Sequence, residues 1–389
     1  MVNINVFIQL LSLIDRDIFK KLVSKYNSDK HHKGLNSWTH LVSMLFCHLS
    51  CSDSVRDISN GLRSTTGNMN HMGISRAPCK SSISYMNEHR DHKLFKDLYF
   101  ALLDNLWNKE PNQRSELRAL KRKVYLMDAS VIPLCMSIFD WAKFRSNKGA
   151  AKLHTVLDYD GCLPVFMEIT DGKVHESKKA NSFSFPKGSV VVMDRGYVDF
   201  KCMNMLDSNG SFFVTRSKVN MKYSVIKSYE SDSMVESGIL KDQVITLSGE
   251  SAKRYGGKKL RLVHVLDSTT GDEYEFLTNN MQWKPAMVAM IYKQRWQIEI
   301  FFKHLKQRLK VTSFVGTSQN AVQIQIWTAL IGILLLKYIQ KKVIYKWNLS
   351  NLVSFIRMNI FVKIDFWLWA NDPFIKKKSP DKNGQFGVF

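Results

Sequence analysis

Two short apolar runs that each end in an aspartate constrain this chain more than any other feature: VYLMD (124–128) and VVVMD (190–194). Consecutive apolar residues bounded by turn signals read as buried strands. A carboxylate straight after such a strand is costly to bury unless charged partners compensate it. Asp128 and Asp194 are therefore either turn caps or members of a shared polar site.

A third acid has an unusual setting. In YKQRWQIEIFFKHLK (292–306), a helix turning about 100° per residue puts Tyr292, Arg295, Glu299 and Lys306 within about 60° of one another. Ile291, Ile298, Phe301, Phe302, Leu305 and Leu309 form the apolar face, and the polar stripe borders it instead of opposing it. Lys303, four residues after Glu299, would also satisfy that acid in a surface pair. Taken together, three carboxylates from two strands and a helix suit a site for hard divalent ions. Two such ions clamp the attacking and leaving oxygens of a phosphoryl transfer.

Competing chemistries find less support. The sequence contains no phosphate-cradling glycine loop, nucleophile elbow or histidine-rich metal motif. RYGGKK reads as a hairpin turn, and Asp158, Asp160 and Asp171 as turn residues. His154, between apolar strand residues, reads as a packed histidine.

The 389 residues carry a formal charge of +22, which fits a polyanionic partner, nucleic acid before a membrane surface. With 45% apolar residues the chain can build a large core. Its six cysteines show no zinc spacing and read as reduced, mostly buried thiols. The N-terminus lacks the pattern of a signal peptide, and IWTALIGILLLKYI (326–339) reads as a buried helix, not a membrane span.

Residues 1–110 show helical spacing in FIQLLSLI, WTHLVSMLFCHL, SVRDISNGL, SISYMNE and FKDLYFALLDNLW. Two of these helices, joined across a glycine-bearing connection, have the layout of a helix-turn-helix reader. Lys80, Ser81, Ser84 and Tyr85 would be presented to DNA. A polar linker near residue 111 precedes strands in an antiparallel meander, then an apolar strand, a helix and another strand over 115–216. Residues 217–278 read as a β-rich insertion, 279–320 as the return of the core with the polar helix, and 321–389 as a helical C-terminal region with a basic tail. The fold class is α/β with an all-α N-terminal domain.

The spacing Y-(2)-R-(3)-E-(6)-K over Tyr292, Arg295, Glu299 and Lys306 resembles the YREK signature of DDE transposases of bacterial insertion sequences, in the insertion-sequence-four group. DRGY (194–197), YLMDAS (125–130) and FVGTSQNAVQIQIW (314–327) extend the resemblance over about residues 115–340. It implies a ribonuclease H-like core interrupted by the β-rich insertion, with Asp128, Asp194 and Glu299 holding two Mg²⁺ or Mn²⁺ ions. Tyr292, Arg295 and Lys306 would contact DNA phosphates, and Arg195 and Tyr197, beside the second aspartate, would either support the site from behind or touch DNA. Cut-and-paste transposition is implied, on terminal inverted repeats of double-stranded DNA, by a homodimer on paired ends. The setting would be the bacterial cytoplasm near the nucleoid, with no membrane. Trp283 and Trp296 are candidates to hold a flipped base at a hairpin stage. The alternatives are a DDE nuclease without strand transfer and a non-catalytic DNA-binding relative.

Overall fold

Asn5 opens the first helix, α1 (Val6–Leu11), by accepting a hydrogen bond from the amide of Ile8. Asp15 does the same for α2 (Arg16–Lys25), a helix the apolar spacing did not disclose because Phe19 is its only buried side chain. Asn36 caps α3 (Ser37–Ser50), which is buried along almost its whole length. Ser54 caps α4 (Val55–Arg63), and α5 (Lys80–His89) and α6 (Lys93–Leu103) follow. Gly61 of α4 lies against α3 so closely that a Cβ there would come within 2.5 Å of the Phe46 ring. The computed structural model describes residues 4–30, 34–65, 69–108, 117–135, 139, 141, 143–145, 148–173, 183–229, 238–309 and 313–374.

Residues 64–79 separate α4 from α5, far more than the three or four residues of a helix-turn-helix turn. The two helices are thus present with a long glycine-bearing connection, and Lys80, Ser81, Ser84 and Tyr85 share an exposed face of α5 over buried Ile83. A compact unit comprises residues 1–86, 93–102 and 328–389. Residues 328–389 cluster with the N-terminal helices in this grouping. The amides of Val6 and Phe7 donate to the carbonyls of Val362 and Ile360. Gln9 bonds to Ile364 and Phe366, and Phe46 stacks on Phe361.

Residues 87–92 and 103–327 form the second unit, a mixed α/β structure built on a ten-stranded sheet. Its first strand, β1 (Val124–Leu134), buries Val124 to Met127 without alternation, as a strand covered on both faces requires. The short β2 (Lys143–Arg145) pairs with the start of β3 (Lys148–Asp158), which lies antiparallel to β1 and to β4 (Leu163–Asp171). Gly161 makes the β3–β4 turn where the Trp107 ring would lie 2.7 Å from a Cβ. On the other side of β1, β5 (Val190–Met193) and β6 (Phe212–Arg216) run parallel, linked by α7 (Phe200–Ser208).

The segment expected as an insertion contributes β7 (Tyr223–Tyr229), β8 (Ile239–Leu247), α8 (Gly249–Tyr255), β9 (Lys259–Leu266) and β10 (Glu273–Thr278). It does not stand apart as a separate sheet. β10 pairs with β6, so the spatial order is β2-β3-β1-β5-β6-β10-β9-β8-β7. The outer edge of β6 is thereby covered. Then come α9 (Pro285–Lys293), α10 (Trp296–Lys303), a π-helical turn at His304–Arg308 and α11 (Gln319–Lys342). The last helices are α12 (Leu349–Met358) and α13 (Phe366–Asn371).

α11 is long and apolar enough to cross a membrane, but 83% of its apolar window is buried inside the fold. Cys47, Cys162 and Cys202 are buried, whereas Cys79 and Cys135 are exposed, so the thiols are not mostly interior. The polar segment after Gly172 (174–182), part of the linker near 111 and the basic tail lie outside the described residues.

Candidate active site

Parallel pairing matches Met127 of β1 to Met193 of β5, and both methionines belong to the main apolar core. Successive side chains alternate between faces, so the next residues, Asp128 and Asp194, turn together onto the opposite face. Asp194 keeps extended backbone angles, φ −74° and ψ 162°, so the alternation carries through. Neighbouring strands lie about 4.8 Å apart, which makes these acids close neighbours although 66 positions separate them in sequence.

α10 packs against β1 and presents Glu299 to the same place. Arg295 joins the acids: its Nη2 donates to Glu299 Oε1 at 2.6 Å, and its Nη1 lies 3.9 Å from Asp128 Oδ2. Tyr292 Oη donates to Asp194 Oδ1 at 3.4 Å. One guanidinium and one phenol thus answer three carboxylates. Burial opposes the charge of Arg295, yet Tyr292, Glu299 and Asp194 hold its pKa above the ordinary value. Burial drives the Tyr292 hydroxyl up to about 12, with Arg295 opposing and Asp194 adding to the rise.

The helix expected over 292–306 is two helices. Arg295 and Gln294 donate to carbonyls only three residues back, those of Tyr292 and Ile291, and Gln297 and Ile298 repeat the pattern. This 3₁₀ pinch, and the wider turn at His304–Arg308, break the even 100° progression. Tyr292, Arg295 and Glu299 still converge on the acids. Lys306 is carried elsewhere: its amine donates to the Val131 carbonyl of β1 at 2.7 Å, and burial lowers its pKa.

Of the two roles expected for Tyr197, burial disfavours direct DNA contact. Its side chain is fully buried in the apolar core behind the sheet, so it offers DNA no contact surface, while neighbouring Arg195 is exposed. Trp283 packs against Phe212, and Trp296 is 59% exposed.

Arg216 was missed by sequence reasoning. Met193 pairs with Thr215, so Arg216 stands beside Asp194 on the next strand, its guanidinium 4.6 Å from the Tyr274 ring. The signal was a basic residue closing SFFVTR, a third apolar run ending in a charge. Arg216, Tyr274, Tyr292, Lys293, Arg295 and Trp296 line an open groove of about 910 Å³ beside the acids.

Residues 119–335 match the model of the transposase DDE domain family. The chain belongs to the DDE transposase family.

Residues 2–75 match a second model, a domain of unknown function. A transposase of Sinorhizobium fredii is 30% identical over 266 residues, 67% of this chain and 71% of that one. Transposases assigned to insertion sequence elements of Geobacillus stearothermophilus and of a Synechocystis strain are 25% and 27% identical, covering 68% and 70% of their own lengths. A piggyBac transposase in a synaptic complex with hairpin DNA matches at TM-score 0.41 and 11% identity over 92% of this chain and 80% of that one, too distant to carry an argument. As an insertion-sequence DDE transposase, this protein is an enzyme of DNA cleavage and strand transfer. Enzymes of this family generally use divalent metal ions.

Among the described residues no three acidic, histidine or cysteine side chains stand as a ready metal cluster. The donor set nevertheless fits hard cations: Asp128, Asp194 and Glu299 offer only carboxylate oxygens. A positive guanidinium already sits between two of the acids.

Proposed function

We propose that Asp128, Asp194 and Glu299 are the catalytic acids of a ribonuclease H-like core in the insertion-sequence-four group, and that together they hold two Mg²⁺ or Mn²⁺ ions. The observation that carries this reading is the shared register of Met127 and Met193, which turns both aspartates onto one face under Glu299 and Arg295. The strand order β4-β3-β1-β5-β6, three antiparallel strands followed by two parallel ones, supports the core assignment. Bound there, divalent ions supply water activation and charge neutralisation at the scissile phosphate.

The residues of the chain do the remaining work. Arg295 exchanges its carboxylate partners for a DNA phosphate, a geometry its planar fork suits. Tyr292 keeps Asp194 oriented through its hydroxyl. Lys306 holds β1 through Val131 and has two further N–H groups to offer a phosphate. Arg195 lies exposed beside Asp194 as another phosphate contact. The exposed face of α5 with Lys80, Ser81 and Tyr85 contacts duplex DNA of the terminal inverted repeats.

Cleavage is an in-line attack of water on the phosphodiester at the transposon end, releasing a 3′-OH. That hydroxyl then attacks a target phosphodiester and displaces its 3′ oxygen, completing cut-and-paste transfer. The protein acts as a homodimer on paired ends, and exposed Ile344, Met358, Leu368 and Phe374 provide apolar surface for it.

The test is nicking and strand transfer on duplexes carrying the element's own ends, with Mg²⁺ or Mn²⁺. Asp128→Asn, Asp194→Asn and Glu299→Gln should each abolish both products while retaining end binding. Undiminished cleavage by any one of them would remove that residue from the triad.

A further inference from the structure

Within the sheet, Asp128 has a direct cross-strand partner on β3, and that partner is Thr155. Residues directly opposite in an antiparallel pair share a face, with Cβ atoms about 4.5–5.5 Å apart. Thr155 therefore lies on the site face beside the acid, without a hydrogen bond to it in this structure. Its side chain is 0% exposed, and its Oγ1 has no hydrogen-bond partner among the described residues. Buried hydroxyls are seldom left unpaired, and valine would fill the same space at no polar cost. On the same face of β3, Leu153 and Leu157 are apolar and buried, while buried His154, the preceding residue, alternates to the other face and bonds to Thr170.

The two aspartates are met by different groups. Asp194 has the Tyr292 hydroxyl. Asp128 has its own neighbour, the Ala129 amide, on Oδ1 at 2.7 Å, while Oδ2 faces Arg295 at a distance long for a hydrogen bond.

We infer that Thr155 is a positioning residue, whose hydroxyl donates to the Asp128 carboxylate in the DNA-bound state and fixes its orientation for the divalent ion. The inference rests on the reading of Asp128 as a site carboxylate. Each strand acid then has one hydroxyl from a neighbouring element, Tyr292 for Asp194 and Thr155 for Asp128.

The experiment compares full-length Thr155→Val, Thr155→Ser and Asp128→Asn with the native chain. It measures thermal melting, calorimetric Mn²⁺ binding to the protein on its end duplex, and single-turnover nicking against Mg²⁺ concentration. Thr155→Val should melt at or above the native temperature and bind the duplex equally. It should bind Mn²⁺ about tenfold more weakly and nick about tenfold more slowly, as loss of a hydrogen bond to a charged group implies. Thr155→Ser should recover both. Native-like Mn²⁺ binding by Thr155→Val, or equal losses in Val and Ser variants together with a lowered melting temperature, would overturn the assignment. Activity surviving in Asp128→Asn would instead fell the underlying reading of the acid, and this one with it. An inert Asp128→Asn beside a native-like Thr155→Val rejects Thr155 alone.

Discussion

Replacing Asp242 by alanine tests how the insertion supports the site. Arg261 of β9 makes a two-pronged pair with Asp242 of β8, Nε to Oδ1 at 2.7 Å and Nη2 to Oδ2 at 2.6 Å. Its third nitrogen, Nη1, donates to the Trp283 carbonyl, two residues ahead of α9. The two side chains are 6% and 2% exposed. Removing one partner of a buried ion pair costs about 3–5 kcal/mol, because the remaining charge stays buried. In a unit of this size each kcal/mol lowers the melting temperature by roughly 2–4 °C, so the variant should melt about 6–20 °C lower. Differential scanning calorimetry of the full chain reads this. The double variant Asp242→Leu with Arg261→Met removes both charges and should recover most of the loss. It still lacks the bond that fixes the start of α9, which leads to Tyr292 and Arg295, so its nicking rate should stay below native. The reasoning fails if Asp242→Ala melts within about 2 °C of the native chain, where a surface substitution would fall. It also fails if the double variant is as unstable as the single one.

Three further outcomes are accessible. Tyr292→Phe loses the bond to Asp194 and should slow nicking by roughly two- to tenfold. Because the folded hydroxyl ionises only near 12, the native rate should show no tyrosine inflection below pH 10, and one that vanished in the Phe variant would contradict this. Lys306→Met leaves the Val131 carbonyl without its donor, at a cost of about 1–2 kcal/mol visible as a lower melting temperature. If the amine also reaches a phosphate, the salt slope of end binding falls by about 1; an unchanged slope assigns the amine to β1 alone. The hydroxyls of Ser81 and Ser82, 3.2 and 3.0 Å away, bring the exposed Cys79 thiol down to about 7, whereas burial pushes the Cys202 thiol up to about 12. Peptide mapping after iodoacetamide should find Cys79 alkylated first, at a rate that rises through pH 7 and levels off above about 8, since only the thiolate reacts. A rate still climbing at pH 9 would refute the lowered value.

The acids were legible because buried strands advertise themselves as unbroken apolar runs, and a charge after such a run stands out. The carrier of Glu299 was less so. Helical periodicity assumes one twist throughout, and no residue type in YKQRWQIE marks the pinch at Gln294 and Arg295, which lies in backbone bonding. β7 was invisible for a different reason: its central residues, Ser224 to Ser228, are all exposed, so it carries no burial pattern. The joining of 328–389 with the N-terminal helices rests on contacts over three hundred residues apart, such as Phe7 to Ile360, which no local window reports. Thr155 looks like any strand threonine until its partner across the ladder is known.

The register of Met127 against Met193 also sets what this chain can tolerate over evolutionary time. Between β6 and α9 the described residues include four strands and a helix, accommodated without displacing Glu299 from the aspartates. A single residue gained or lost inside VYLM or VVVM would send one aspartate through the sheet into the apolar core, since strand side chains alternate one by one. Length is nearly free in the connection and forbidden in the strands. Drift in such chains should therefore accumulate as changes in loop and insertion size, while the two four-residue runs before the aspartates keep their count.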